Sequence, residues 1–388
     1  MDRLRKSKTG IMLLAALMIG SVFGPVGAGT VPDNGPPDNE AILRVAAAPN
    51  STRTAELTLG SPGAVQKMLN NGVRIRAPYL PVSDTQLSVR TGGVRQTLAV
   101  DRNGFAYDGE QGQMIILRRP DRLLLKKRVD ELRGSYYGTL LSWDDAKSRI
   151  PMSSTFALTD LETGKTFRVQ RRAGSSHADV QPLTREDTEI MKDIYEGKWS
   201  WKRRAVLVGT GDAVLAASMH GMPHGGDGIP DNGFSGHFCV HFLGSTTHKS
   251  RSVDPEHQLM VYKAAGKLTG YMGTMNPDML AATFFKTYNL KELPAARMLF
   301  VDPYNEPLER LLSKTERISS DSKPGKTAYI AEDGLVAERS EAVKLHAADN
   351  RVRQARFVLR FVRGTPAEPW KIESLAATDG KGRDLLER

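Results

Sequence analysis

Cys239 is the only cysteine in a chain of 388 residues, and histidines crowd around it. Seven of the eight histidines are His177, His220, His224, His237, His241, His248 and His257, and six of these lie between positions 220 and 257. Met219-His220-Gly221-Met222-Pro223-His224-Gly225-Gly226 leads through a polar, glycine-rich loop into Ser235-Gly236-His237-Phe238-Cys239-Val240-His241, so two histidine-bearing segments bracket a thiol. A thiol is a strong nucleophile only as thiolate, and a neighbouring imidazole lowers the cost of that charge by taking the proton and remaining as counter-ion. Flanking glycines let a substrate backbone approach, and backbone N–H groups near the cysteine can stabilise the oxyanion formed when a carbonyl is attacked. The chemistry implied is acyl transfer. An inert core thiol is the plainer reading of a single cysteine; the surrounding histidines turn the balance.

The same residue types ligate metals. His220 and His224, completed by His237, Cys239 or His241, would supply the nitrogen and sulfur donors that zinc takes. Their i to i+4 spacing aligns side chains only on a helix, however, and Gly221, Pro223 and Gly225 argue against one. The reading therefore assigns no metal and no cofactor, with a zinc-dependent wall hydrolase as an alternative. His177 and Asp179, in Ser175-Ser176-His177-Ala178-Asp179, would join from another loop to orient an imidazole or ligate a metal; a loop folded around its own backbone is the plainer expectation. His248 and His257 have no motif around them. Trp143, Tyr195, Trp199 and Trp201 are expected in core or cleft wall, and Arg203 and Arg204 on the solvent side of a strand.

His220-Gly221, a glycine-rich loop, then Ser235 with His237, Cys239 and Val240 resembles the signature of the L,D-transpeptidases. There a histidine is followed after roughly fifteen residues by Ser/Thr-His-Gly-Cys, a hydrophobic residue, and Asn or Arg. The resemblance covers about residues 135–266. It implies a β-rich catalytic domain with Cys239 as nucleophile, His220 as base, and Ser235 and His237 in the supporting motif. Gly221, Gly236, His241 and His224 would then contact substrate. The substrate would be peptidoglycan stem peptides, cleaved after a meso-diamino acid, with the acyl group passed to an amine or to water. Two positions depart from the signature: Phe238 stands where the family has glycine before the nucleophile, and His241 replaces the polar residue two after it. A degenerate module that binds wall peptide without turnover is the non-enzymatic alternative.

Elements must hold these residues in place. Thr155–Thr159 and Thr166–Gln170 alternate around a turn containing Gly164, which reads as a hairpin. Thr184 followed by Glu186 and Asp187 caps a helix running toward Gly197. Ala205–Val208 and Ala213–Ala217 read as strands, the second leading into the histidines, and Pro255–Ala265 reads as a helix stopped by Gly266. Before this unit, 51–134 reads as a small, mainly β domain opened by a helix near Ala64–Asn70. After it, 267–388 reads as α+β, helices then a curved antiparallel sheet with Val352–Val362 and Trp370–Leu375. That order resembles the cystatin or nuclear-transport-factor-like folds. The fold class expected is thus mainly β and multidomain.

The remaining segments concern location. Met1–Lys8 is basic, Ile11–Phe23 apolar, and Val26-Gly27-Ala28 small, the order of a signal peptide cleaved after Ala28; 29–50 reads as a disordered linker. The expected location is extracytoplasmic, with no stable membrane span after cleavage, because the apolar run falls short of the roughly 20 residues a span needs. Lys and Arg outnumber Asp and Glu 54 to 44, giving a formal charge of +10 scattered along the chain. Scattered charge suits anionic wall polymers and gives no basic reading element for nucleic acid.

Overall fold

The computed structural model describes residues 40–226, 228–248, 250–320, 329–331 and 334–386. The signal-peptide segment lies outside them. In the first sheet, β1 (Ala41–Val45) buries Ala41, Leu43 and Val45 and turns Ile42 and Arg44 away, the two-residue period of a strand. It is followed by β2 (Ala55–Gly60), α1 (Pro62–Asn70), β3 (Val73–Arg76), β4 (Thr85–Thr91), β5 (Val94–Val100), β6 (Ala106–Asp108), β7 (Gln113–Ile116) and α2 (Arg119–Tyr136). The strands order as β2-β1-β4-β5-β6-β7-β3. β1 thus sits inside the sheet, although the composition of 29–50 reads as linker: its apolar alternation prevails where partners pair on both sides. The β reading of 51–134 also omits α2, which buries Leu125, Val129, Leu132 and Tyr136 at helical spacing.

The middle of the chain opens with α3 (Trp143–Arg149) and closes six strands into a barrel. These are β8 (Thr155–Asp160), β9 (Thr166–Ala173), β10 (Ala178–Pro182), β11 (Arg203–Gly209), β12 (Val214–His220) and β13 (Phe238–His241), ordered β10-β13-β12-β11-β8-β9. Between β10 and β11 runs α4 (Arg185–Ile194), fixed at its start by a capping box of Thr184 and Asp187. The helix α5 (Pro255–Ala264) follows β13 and packs against β11, β12 and β13. Val180, Met219, Phe238 and Val240 join Phe156, Phe167 and Val206 in the barrel's own apolar core. Side chains alternate across a strand, so the residues between them, Asp179, Ser218, His220, Cys239 and His241, project from the other face, toward α5 and its surroundings.

The C-terminal part carries α6 (Leu268–Met272), α7 (Pro277–Asn289), α8 (Leu293–Met298) and α9 (Glu306–Lys314), then β14 (Arg317–Ser319), β15 (Tyr329–Ile330), β16 (Val336–His346), β17 (Val352–Val362) and β18 (Lys371–Thr378). The last sheet orders β14-β16-β17-β18, with β15 also paired to β16. One apolar cluster runs from the first sheet through α5 into these helices and this sheet, while the barrel interior forms a second. Lys263 on α5 bridges Glu162 of the β8–β9 turn and Glu292 at the start of α8. The observed class is mainly β, with several antiparallel sheets and accompanying helices. No helix among the described residues is long and apolar enough to cross a membrane.

Candidate functional site

Strand register assembles the site. Asp179 pairs with Cys239 between β10 and β13, and Met219 with Val240 and Ser218 with His241 between β12 and β13. Continuing that register sets His220 opposite Cys239 and His177 opposite His241. One cross-strand row is therefore Asp179, Cys239 and His220, and the next is His177, His241 and Ser218. Ahead of β13, His224 and His237 exchange two backbone hydrogen bonds, of 3.0 and 2.8 Å. Gly225 and Gly236 allow this bridge. Their φ values are +74° and +88°, and a Cβ on either would come within 2.3 Å of the His237 ring or the His224 carbonyl.

The imidazole on the sulfur is that of His224, whose Nε2 lies 3.4 Å from Cys239 Sγ. Its Nδ1 donates to the Met222 carbonyl at 3.1 Å, which leaves Nε2 with its lone pair toward the thiol. His220 stands behind this pair, with a ring nitrogen within 4.8 Å of both the sulfur and a His224 nitrogen. Its Nδ1 accepts from the Met222 N–H at 3.3 Å. On the opposite side of the thiol is Asp179, with Oδ1 3.7 Å from Sγ. The same carboxylate oxygen is 3.0 Å from His248 Nε2, 3.1 Å from His177 Nε2 and 3.8 Å from His237 Nε2.

Behind the thiol the second row is closed. His241 stacks between His177 and His257, with ring centroids 4.4 and 3.8 Å apart, and Ser218 Oγ meets His257 Nδ1 at 2.9 Å. His241 Nδ1 is buried without a hydrogen-bond partner. Burial is the first cause that lowers this layer's basicity: it brings His241 down to about 3 and, with neighbouring rings, takes His257 and His220 well below the usual imidazole value. His237 shifts the same way, burial outweighing the pull of Asp179. Burial alone would raise Asp179, but the hydrogen bond and charge of His177, then His248 and His237, bring it down to about 2. Burial, then the Asp179 charge, pushes the Cys239 thiol far up, so it rests protonated.

Cys239 itself is 5% exposed, but the rings around it reach solvent: the His237 and His248 side chains keep 18% and 48% of their exposure. Trp201, half exposed, lies against His220 and His224 with centroids 4.6 and 5.5 Å away. Trp143 and Tyr195 are core and Trp199 packs edge-on to Phe234. Among the residues singled out from sequence, Cys239, His220, His224 and His237 come together. Ser235 is exposed on the approach to β13, Gly221 packs on the Tyr195 ring, and His241 lies in the buried stack. Arg203 and Arg204 are not solvent-facing: they pair with Asp254 and Asp160.

His177 and Asp179 complete the cluster, against the plainer expectation of a loop folded around its own backbone, and so does His248, which has no motif around it in the sequence. The available signal was the spacing His177-x-Asp179, which sets both side chains on one face if the segment is extended. His248 is brought in by the turn after β13, for which sequence holds no comparable sign. Compared with family models, curated proteins and solved structures, the chain matches none.

Proposed function

We propose that the protein is an exported, cysteine-dependent acyl transferase of the L,D-transpeptidase kind, acting on peptidoglycan stem peptides. The observation that carries this reading is the approach of His224 Nε2 to Cys239 Sγ at 3.4 Å, with the far side of the ring held by the Met222 carbonyl. That is a nucleophile, a base and an orienting acceptor in line. The β-rich middle unit is of the kind the resemblance implies, and the basic, apolar and small-residue order of the N-terminus supports export. The α+β unit at the C-terminus, on this reading cystatin-like or nuclear-transport-factor-like, would serve as an adaptor.

A peptide carbonyl would enter where His237 and His248 meet solvent, beside Trp201. Sγ attacks its carbon and passes its proton to His224 Nε2, so a C–S bond forms and the carbonyl oxygen becomes an oxyanion. Collapse breaks the C–N bond, and the imidazolium returns its proton to the departing amine. An amine or water then attacks the thioester, His224 taking its proton, and the thiol is restored. His224 rather than His220 is the base in this scheme; His220 supports the loop through Met222.

Turnover of wall tetrapeptides followed by chromatography and mass detection tests it. Cys239→Ser should lose nearly all product, because a hydroxyl is much harder to deprotonate, and His224→Ala should lose about a hundredfold or more. Undiminished turnover in Cys239→Ser would refute the scheme.

A further inference from the structure

The contacts among His177, His248 and Asp179 cannot all close as hydrogen bonds at once. His177 Nδ1 faces the Thr246 carbonyl at 2.7 Å, an acceptor only, so Nδ1 carries the hydrogen and Nε2 of the neutral ring carries a lone pair. Yet this Nε2 lies 3.1 Å from Asp179 Oδ1, also an acceptor, and 3.0 Å from His248 Nε2. A single hydrogen on His248 cannot serve both His177 and Asp179 and also separate those two from each other. A second proton on His177 would serve its contact with Asp179, but with both rings donating to that carboxylate no hydrogen separates the two ring nitrogens at 3.0 Å; a cation among the three answers every contact.

We infer that His177, Asp179, Cys239 and His248 form a binding site for a divalent transition-metal ion of the zinc class. The four ligand-type atoms lie within 4.8 Å of one another, and the individual separations of 3.0, 3.1 and 3.7 Å approach those around a tetrahedral ion. Bonds of about 2.0–2.3 Å set neighbouring donors roughly 3.3–3.7 Å apart. Two imidazoles, one thiolate and one carboxylate are a donor set that zinc takes and that magnesium or calcium does not. Three donors are anchored. Asp179 and Cys239 are paired on adjacent strands, and His177 is fixed through its Nδ1–H to a backbone carbonyl, the support usual for a ligating histidine. His248 is half exposed and supplies the side from which an ion enters.

This site goes beyond the acyl-transfer reading and shares one atom with it. A thiolate bound to metal is not free to attack a carbonyl, so metal and substrate compete for Cys239, and metal binding releases the thiol proton to solvent. The ligands differ from a set built on the His220–His224 pair, which shares only Cys239 with them.

The test is titration of the reduced, chelator-stripped full chain with Co²⁺ and Zn²⁺ alone. One Co²⁺ per chain is expected, with tetrahedral visible bands, a thiolate-to-cobalt absorption in the near ultraviolet, and displacement by Zn²⁺. Cys239→Ser should abolish the thiolate absorption. His248→Ala, which alters a half-exposed ring and should fold even if a strand variant does not, should weaken binding at least about tenfold. His346→Ala, in the C-terminal sheet, should leave binding unchanged. No binding by the folded chain, or binding unaltered in His248→Ala, would overturn the site. Because the two readings share a thiol, turnover is measured on the same samples. Metal binding without turnover in the stripped chain would overturn only the transferase reading, and turnover without metal binding only this one.

Discussion

Cys239 is protonated at rest because it is buried and faces an ionised carboxylate, and this sets what its neighbours must do. Under the transferase reading the thiol is activated only as the attack occurs, when His224 accepts its proton. The position of that ring depends on the bridge between His224 and His237, and hence on Gly236 at φ +88°. A side chain there takes on a left-handed conformation costing about 1–2 kcal/mol, and its Cβ would strike the His224 carbonyl. Gly236→Ala is therefore expected to lower the thermal midpoint by a few degrees and to reduce turnover by more than the loss of folded protein explains. Equal activity per folded molecule would show that the bridge does not position His224. The candidate thiol was legible in the sequence because a lone cysteine among histidines is uncommon. Which imidazole meets it was not, since His220 and His224 differ only through a turn that brings the second ring onto the sulfur.

At the scale of elements, the barrel's closure near the site rests on a buried pair. Arg204 on β11 bonds Asp160 at the end of β8 with two contacts, of 2.6 and 2.8 Å, and Asp160 also accepts from the Thr163 backbone at 2.8 Å. Burial alone would raise Asp160; its hydrogen bonds and the Arg204 charge prevail and hold it below the ordinary carboxylate value. A carboxylate depressed in the folded state contributes stability that is present above its unfolded pKa, near 4, and is lost as pH falls through the folded value. Asp160→Asn should therefore cost about 3–5 kcal/mol at neutral pH. In urea unfolding, the gap from wild type should narrow as pH falls below about 4. A gap independent of pH would contradict an ionised Asp160. The α4 cap and the β8–β9 hairpin were readable because Thr184, Asp187 and Gly164 act locally. α2 was not: Leu123 and Leu124 are exposed and blur its apolar stripe. β10 was not either, because its residues look like loop until β9 and β13 pair with it.

For the whole molecule, the packing of its sheets and helices against one another did not follow from composition and turn residues. The first sheet and the C-terminal helices share one apolar cluster across α5, and Lys263 on that helix is held by carboxylates from two different parts of the chain. Such contacts join residues far apart in sequence, where no local periodicity reports them. The consequence for function is that the barrel face bearing Cys239 is backed by α5, so the site is built on a supported sheet with its His237 and His248 side open to solvent. The most direct measurement of the central claim is the intact mass of the purified chain after brief exposure to a wall tetrapeptide. A thioester adduct equal to the acyl part of the substrate should appear, map to Cys239, disappear when an amine acceptor is added, and be absent from Cys239→Ala. No adduct on a folded, reduced, metal-free chain, or an adduct that persists in Cys239→Ala, would contradict it.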